Sequence, residues 1–264
     1  MKTRKFIAII TAVIMLLSVG TMNAFAVETY SSNVLTPQDV TAYEDILDRL
    51  NDEYGYSMYF SPEIFTRDSK FENPTKYSLS EFEASIRKEI EEDIAINLES
   101  QTAIAKLGTV KWESAPFEGK TYTIPANVSI YSSAVMNEAY ESMEPYMTSS
   151  SEATTQDNTR SSDKTLSSVQ PKIGPTGQVV FMLNTTISIT SYWKYSSVSG
   201  FNYGFFEGAT YPIYLPTAMS YSYADSRRTV AANFTCTRYN ASGVVINNNS
   251  SVYKEFHATS DCIT

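Results

Sequence analysis

The sequence predicts an α+β protein: a small helical N-terminal unit followed by an antiparallel β-sandwich-like C-terminal domain. Three observations point there. Apolar residues recur at helical spacing in two stretches between residues 36 and 105. They alternate with period two through much of residues 171–264. They nearly vanish from a Ser/Thr-rich stretch at 148–170, which reads as a linker between the two patterns. Of the 264 residues, 42% are hydrophobic, enough for a real core, which excludes wholesale disorder.

Residues 1–26 read as an export signal. Lys2, Arg4 and Lys5 precede an apolar run from Phe6 to Val19, Gly20 ends it, and Ala24 and Ala26 are the small residues that a signal peptidase reads. The run is short for a membrane span of about 20 residues, so cleavage after Ala26 is expected, leaving residues 27–35 as a flexible mature N-terminus. The pattern is that of a bacterial signal, and no cysteine near the cut offers lipid attachment. The net charge is −9, and losing those three cations and no acid takes it to −12. Such a chain carries no basic footprint for nucleic acid and is repelled by anionic lipid. The expected location is therefore secreted and extracellular, with no nucleic-acid partner and no membrane association after cleavage.

The first helix opens at Thr36-Pro37, a cap followed by proline at the first helical position. Val40, Tyr43, Leu47, Leu50 and Tyr54 make its apolar stripe, Gly55 ends it, and Glu44, Asp45, Asp48, Asp52 and Glu53 lie on the other face. Residues 56–60 fit a short strand or an extended connection, stopped by Ser61-Pro62. The second helix is announced by a capping box, Ser78 to Glu81, with Tyr77 and Phe82 as the hydrophobic staple. Phe82, Ile86, Ile90, Ile94 and Leu98 repeat every four residues, and Glu89, Glu91, Glu92 and Asp93 read as part of a solvated face. The first helix is its expected partner. Residues 36–147 are thus mostly helical with a short β segment, and residues 109–147 fit either unit.

In the C-terminal region, Val179, Phe181, Leu183, Ile187 and Ile189 alternate with polar residues, as do Met219, Tyr221 and Tyr223, and Val230, Ala232, Phe234 and Cys236. Asn240-Ala241-Ser242-Gly243 fits a hairpin loop. Leu215-Pro216-Thr217-Ala218 reads as a turn. Cys236 and Cys262 are the only cysteines. In an exported chain they are expected to pair, closing a loop of about 25 residues worth roughly 3.5 kcal/mol.

Motifs for chemistry are sparse. The single histidine, His257, shares a strand face with Tyr253 and Glu255 and reads as solvent-facing. The three S-x-x-K spacings (Ser161–Lys164, Ser191–Lys194, Ser251–Lys254) fall in the linker or in strands, where about 10 Å separates the groups. No cofactor or metal is expected from any motif, although a calcium site needs no fixed one. Six N-x-[ST] triplets begin at Asn127, Asn184, Asn233, Asn240, Asn248 and Asn249. Aromatics crowd between Tyr192 and Tyr223, mostly as core, with Tyr192 and Trp193 as the pair expected to remain at the surface for a ligand. The expectation is a secreted, non-enzymatic protein that binds an extracellular glycan or protein partner through its β domain. The alternatives are an extracellular hydrolase of glycan or peptide, and a secreted toxin-like or bacteriocin-like effector.

Overall fold

The computed structural model describes residues 35, 37–62, 74–124, 164–189 and 192–258. The export signal with Ala24 and Ala26, nearly all of the segment 27–35, residues 125–163 and Cys262 lie outside the described residues. By internal packing the chain divides into residues 1–33 and 34–264, and every described element belongs to the second unit.

Among the described residues, two α-helices and two mostly antiparallel sheets make an α+β fold. Helix α1 spans Pro37–Tyr54 and α2 spans Leu79–Lys106. The strands are β1 (Tyr59–Phe60), β2 (Glu113–Ala115), β3 (Phe117–Ile124), β4 (Lys164–Ile173), β5 (Val179–Ile189), β6 (Trp193–Phe206), β7 (Ile213–Ala224), β8 (Thr229–Tyr239) and β9 (Val244–His257). One sheet has the order β1-β9-β8-β7-β2 and the other β3-β6-β5-β4. All neighbours run antiparallel except β3 and β6.

The capping box forms as the sequence predicts. The Ser78 side chain accepts from the Glu81 N–H, and the Glu81 carboxylate accepts from the Ser78 N–H at 2.9 Å. Helix α2 then runs for 28 residues, longer than its apolar repeat suggests. Its first half joins α1 in one core: Tyr43, Leu47, Leu50, Phe82, Ile86 and Ile90 bury against Val244 and Ile246 of β9. Outside this core, Arg49 forks onto Glu83 and Arg87 onto Glu53. Exposed pairs of this kind contribute little stability but match the two helices in register.

The second core lies between the sheets. Phe181, Leu183 and Phe201 of one sheet bury with Phe234, Val252 and Phe256 of the other. The Phe181 and Phe234 rings are 4.5 Å apart, and Phe201 meets Phe234 edge-on. Alternation delivers these residues to one face of each strand, as the period-two pattern requires.

Two expectations change, and one segment left open between the units is placed. Residues 164–170, placed by composition in a linker, form most of β4 and pair in unbroken register with β5. Their inward positions include the polar Ser168 and Gln170, both buried, so the ladder leaves no hydrophobic signature. The segment 113–124 belongs to the sheets: β2 pairs with β7 in one sheet, then Pro116 carries the chain into β3, which pairs with β6 in the other. Leu215–Ala218 is not a turn but part of β7, where a bulge between Pro216 and Ala218 absorbs the proline. The hairpin loop at 240–243 forms as expected, its Asn240 side chain accepting from the N–H groups of Ser242 and Val244. No helix among the described residues is long and apolar enough to cross a membrane.

Candidate functional site: a buried polar seam

The densest chemistry lies where α2 meets β8 and β9. A helix advances about 100° per residue, so a repeat of four drifts roughly 40° per step and about 160° from Phe82 to Leu98. Ile94 and Leu98 therefore turn outward, at 43% and 41% exposure. The buried line instead runs through Phe82, Ile86, Glu89, Ile90, Asp93 and Ser100. Glu89 and Asp93, expected on a solvated face, are buried.

Each buried acid has partners. Asp93 accepts from Ser250 Oγ at 2.5 Å, Asn247 Nδ2 at 2.7 Å, Asn97 Nδ2 at 2.9 Å, Tyr56 Oη at 3.1 Å and Tyr214 Oη at 3.4 Å. Glu89 pairs with Arg238, whose Nε stands 2.9 Å away. The same guanidinium, fully buried, also donates to Glu92 at 2.7 Å and to the Tyr214 hydroxyl. Burial pushes the Glu89 carboxyl above its ordinary range, against the pull of Arg238. Burial would lower the Arg238 value, but Glu89, Tyr214 and Glu92 raise it overall. The Tyr56 and Tyr214 phenols are raised first by burial, with Asp93 adding to it, so both remain donors.

Beyond Asp93 the helix completes the edge of a sheet. Strand β1 covers β9 only at Val244 and Val245, leaving later main-chain groups open. Asn97 Oδ1 accepts from the Ser251 N–H at 2.6 Å, Ser100 Oγ donates to the Ser251 carbonyl at 2.7 Å, and Ser100 Oγ accepts from the Tyr253 N–H at 3.0 Å. Two small polar side chains thus do what another strand would do, a recognised way of covering an edge. Chemically, the seam fixes α2 on the sheet. Asp93 is ringed by donors and Glu89 is paired with Arg238, and both carboxylates are buried.

The other residues singled out by sequence lie apart from the seam. Tyr192 is 61% exposed, just before β6, while Trp193 is half-buried and packs against the inter-sheet core. Most remaining aromatics of that stretch are interior, among them Tyr195, Phe201, Tyr203, Tyr214 and Tyr221. Phe117 is partly exposed and stacks on Phe201 at 4.9 Å. His257 is exposed at the end of β9, its Nε2 3.8 Å from Glu255 and its Nδ1 3.0 Å from the Thr229 hydroxyl. Ser251 donates to Asn233 at 2.6 Å, on the face of β9 away from Lys254. Cys236 is fully buried in the inter-sheet core, which holds its thiol well above the ordinary value. Of the N-x-[ST] asparagines, Asn248 and Asn249 are exposed, whereas Asn184 and Asn240 are buried.

At the β7–β8 corner, Asp225, Ser226 and Arg227 all adopt positive φ (48°, 55° and 69°), a left-handed turn costly for side-chain-bearing residues. The turn aims Arg227 at β6 of the other sheet, where it donates to the Tyr195 carbonyl at 2.8 Å and the Ser196 carbonyl at 2.5 Å. Its guanidinium also lies 3.7 Å from the centre of the Tyr223 ring. The sequence marked neither this strap nor the seam, because single polar residues in helices and hairpins give no periodic signal.

No protein-family model, curated protein or solved structure matches this chain.

Proposed function

We propose that this is a secreted, non-enzymatic binding protein whose two sheets form a β-sandwich that presents Tyr192, with the adjacent Trp193, to an extracellular glycan or protein. The observation that carries the reading is the exposure of Tyr192 at 61% in a region where most neighbouring rings are interior. A tyrosine has few rotatable bonds and so loses little freedom on binding, and its face and hydroxyl suit both a sugar and a polar protein surface. Interior packing accounts for most other aromatics of this stretch and does not account for this one.

The hydrolase alternative requires two carboxylates across a space open to substrate. Glu89 and Asp93 are close in the helix but are enclosed by donors, so they lend it no support. The bacterial export reading rests on residues 1–26, and N-terminal sequencing of protein from the medium tests it, with Val27 the expected first residue.

The binding role is tested with the exported protein on purified cell-wall glycans and on cell-surface proteins. Tyr192→Ala is expected to weaken capture at least about tenfold, as for a central aromatic anchor, with the melting temperature unchanged. Unaltered capture by the variant, or no capture of either class by the native protein, would remove the proposal.

A further inference from the structure

We propose that Glu255 and His257, near the end of β9, form a binding site for one divalent transition-metal ion of the Cu²⁺ or Zn²⁺ type. Strand periodicity puts Tyr253, Glu255 and His257 on one face of β9. The residues opposite the last two on β8 are the small Ala231 and Thr229. The His257 and Glu255 side chains remain 53% and 46% exposed, within reach of ions in solution.

Each of these side chains is held by a third residue. His257 Nδ1 stands 3.0 Å from the Thr229 hydroxyl. Glu255 Oε1 accepts from Tyr253 Oη at 2.8 Å. The other two atoms, His257 Nε2 and Glu255 Oε2, face each other across 3.8 Å, longer than a hydrogen bond. Zinc-type bonds to imidazole nitrogen and carboxylate oxygen, about 2.0–2.2 Å each, add to slightly more than that gap. One ion set just off the line between the two atoms therefore reaches both.

The outer contacts are of the kind that orients metal ligands. With the Nδ1 proton donated to Thr229 Oγ1, the imidazole lone pair lies on Nε2, the tautomer that binds a metal there. Burial first, and then the bond to Glu255, holds the Tyr253 phenol above its ordinary value. It therefore stays a donor and fixes the carboxylate. One nitrogen and one oxygen ligand suit Cu²⁺ and Zn²⁺, and the general order of affinities puts Cu²⁺ first. Among the described residues no group of three or more His, Cys, Asp or Glu gathers for a metal. Water thus completes the coordination, and the ion is exchangeable rather than structural. A net charge of −9 draws cations toward the chain.

The experiment is calorimetric titration of the untagged intact protein with Cu²⁺, in excess Mg²⁺ to occupy the acidic helix faces. Saturable binding of one equivalent is expected, with Zn²⁺ competing more weakly. Electron paramagnetic resonance should show coupling to a single imidazole nitrogen, assignable at once because His257 is the only histidine. His257→Ala is expected to abolish the site and Glu255→Gln to weaken it at least about tenfold. Thr229→Val and Tyr253→Phe, which touch only the outer contacts, should each weaken it about tenfold. The metal-free melting temperature should be unchanged in His257→Ala and Glu255→Gln, which separates loss of the site from loss of the fold. No saturable binding, binding that Mg²⁺ removes, or a site retained in either of those two variants overturns the proposal. The pair would then be only an exposed ion pair formed when the imidazole is protonated. Unchanged affinity in both outer variants would overturn the positioning roles of Thr229 and Tyr253. None of these measurements involves Tyr192.

Discussion

The two halves of helix α2 dock on the same strand by opposite means. Through Phe82, Ile86 and Ile90 the contact is apolar, with Val244 and Ile246 of β9 beneath it, the buried Glu89–Arg238 pair already belonging to the polar seam. From Asp93 to Ser100 it is polar: a carboxylate, an amide and a hydroxyl meet asparagine, serine and bare main chain. The apolar half gains from burial and tolerates sliding. The polar half gains little net energy per bond, but each bond has one geometry. The difference teaches that the first half holds the helix down while the second sets where along β9 it sits.

The largest effect should come from breaking the buried ion pair. Arg238→Ala leaves Glu89 buried without its cation, and the expected loss is about 3–5 kcal/mol, read as a lowered denaturant midpoint. The comparison sharpens if Arg238→Met is combined with Glu89→Met. The apolar replacement should recover most of that loss, because the desolvation of two charges disappears with them. A double variant as unstable as the single one would show that the seam contributes energy rather than register.

A middle-sized effect is expected at the sheet edge. Ser100→Ala removes a donor to the Ser251 carbonyl and an acceptor for the Tyr253 N–H. The cost is about 1–3 kcal/mol, with faster hydrogen exchange confined to β9 at residues 251–253. Uniform acceleration over the whole chain would argue against a local edge role.

The smallest effect is one of pH. Because Glu89 is held above its ordinary value, the folded chain keeps a proton there that the unfolded chain has already released. Its contribution to stability therefore falls as pH rises from the ordinary carboxylate value through the raised one. The surface acids Glu53, Glu81 and Glu83 are held low by Arg87, Ser78 and Arg49, and their contribution is lost as pH falls through their lowered values. The difference in unfolding free energy between native protein and Glu89→Gln, followed from about pH 4 to about pH 7, isolates the buried group. The native protein should lose ground relative to the variant as pH rises, and a flat difference would mean that Glu89 does not titrate in this window.

Periodicity made much of the scaffold legible. The capping box at Ser78, the stripe of α1, and the alternation around Phe181 and Phe234 all follow from one face meeting a core. Strand β4 was illegible because its inward face includes the polar Ser168, Gln170 and Lys172, which do not contrast with its outward residues. The seam was illegible for a different reason. Glu89 and Asp93 are of the same type as the exposed Glu91, and only the phase of the helix against β9 separates them. A strict repeat of four hid that phase, since Ile94 and Leu98 seemed to extend the stripe while the true contact line moved on to Asn97 and Ser100. Tyr192 and Trp193 were singled out together by their place between two strands; Tyr192 is exposed, whereas Trp193 is half-buried against the inter-sheet core.

The segment 113–124, which passes from one sheet to the other at Pro116, has a consequence for the order of folding. Glu113 bonds Tyr221 across 108 positions, and Ser100 bonds Ser251 across 151. Neither the helical end nor either sheet is complete until the last third of the chain has arrived. Such high contact order makes for slow closure, and a nascent or truncated product ending before β7 would leave the Glu113 strand and the far half of α2 without their partners.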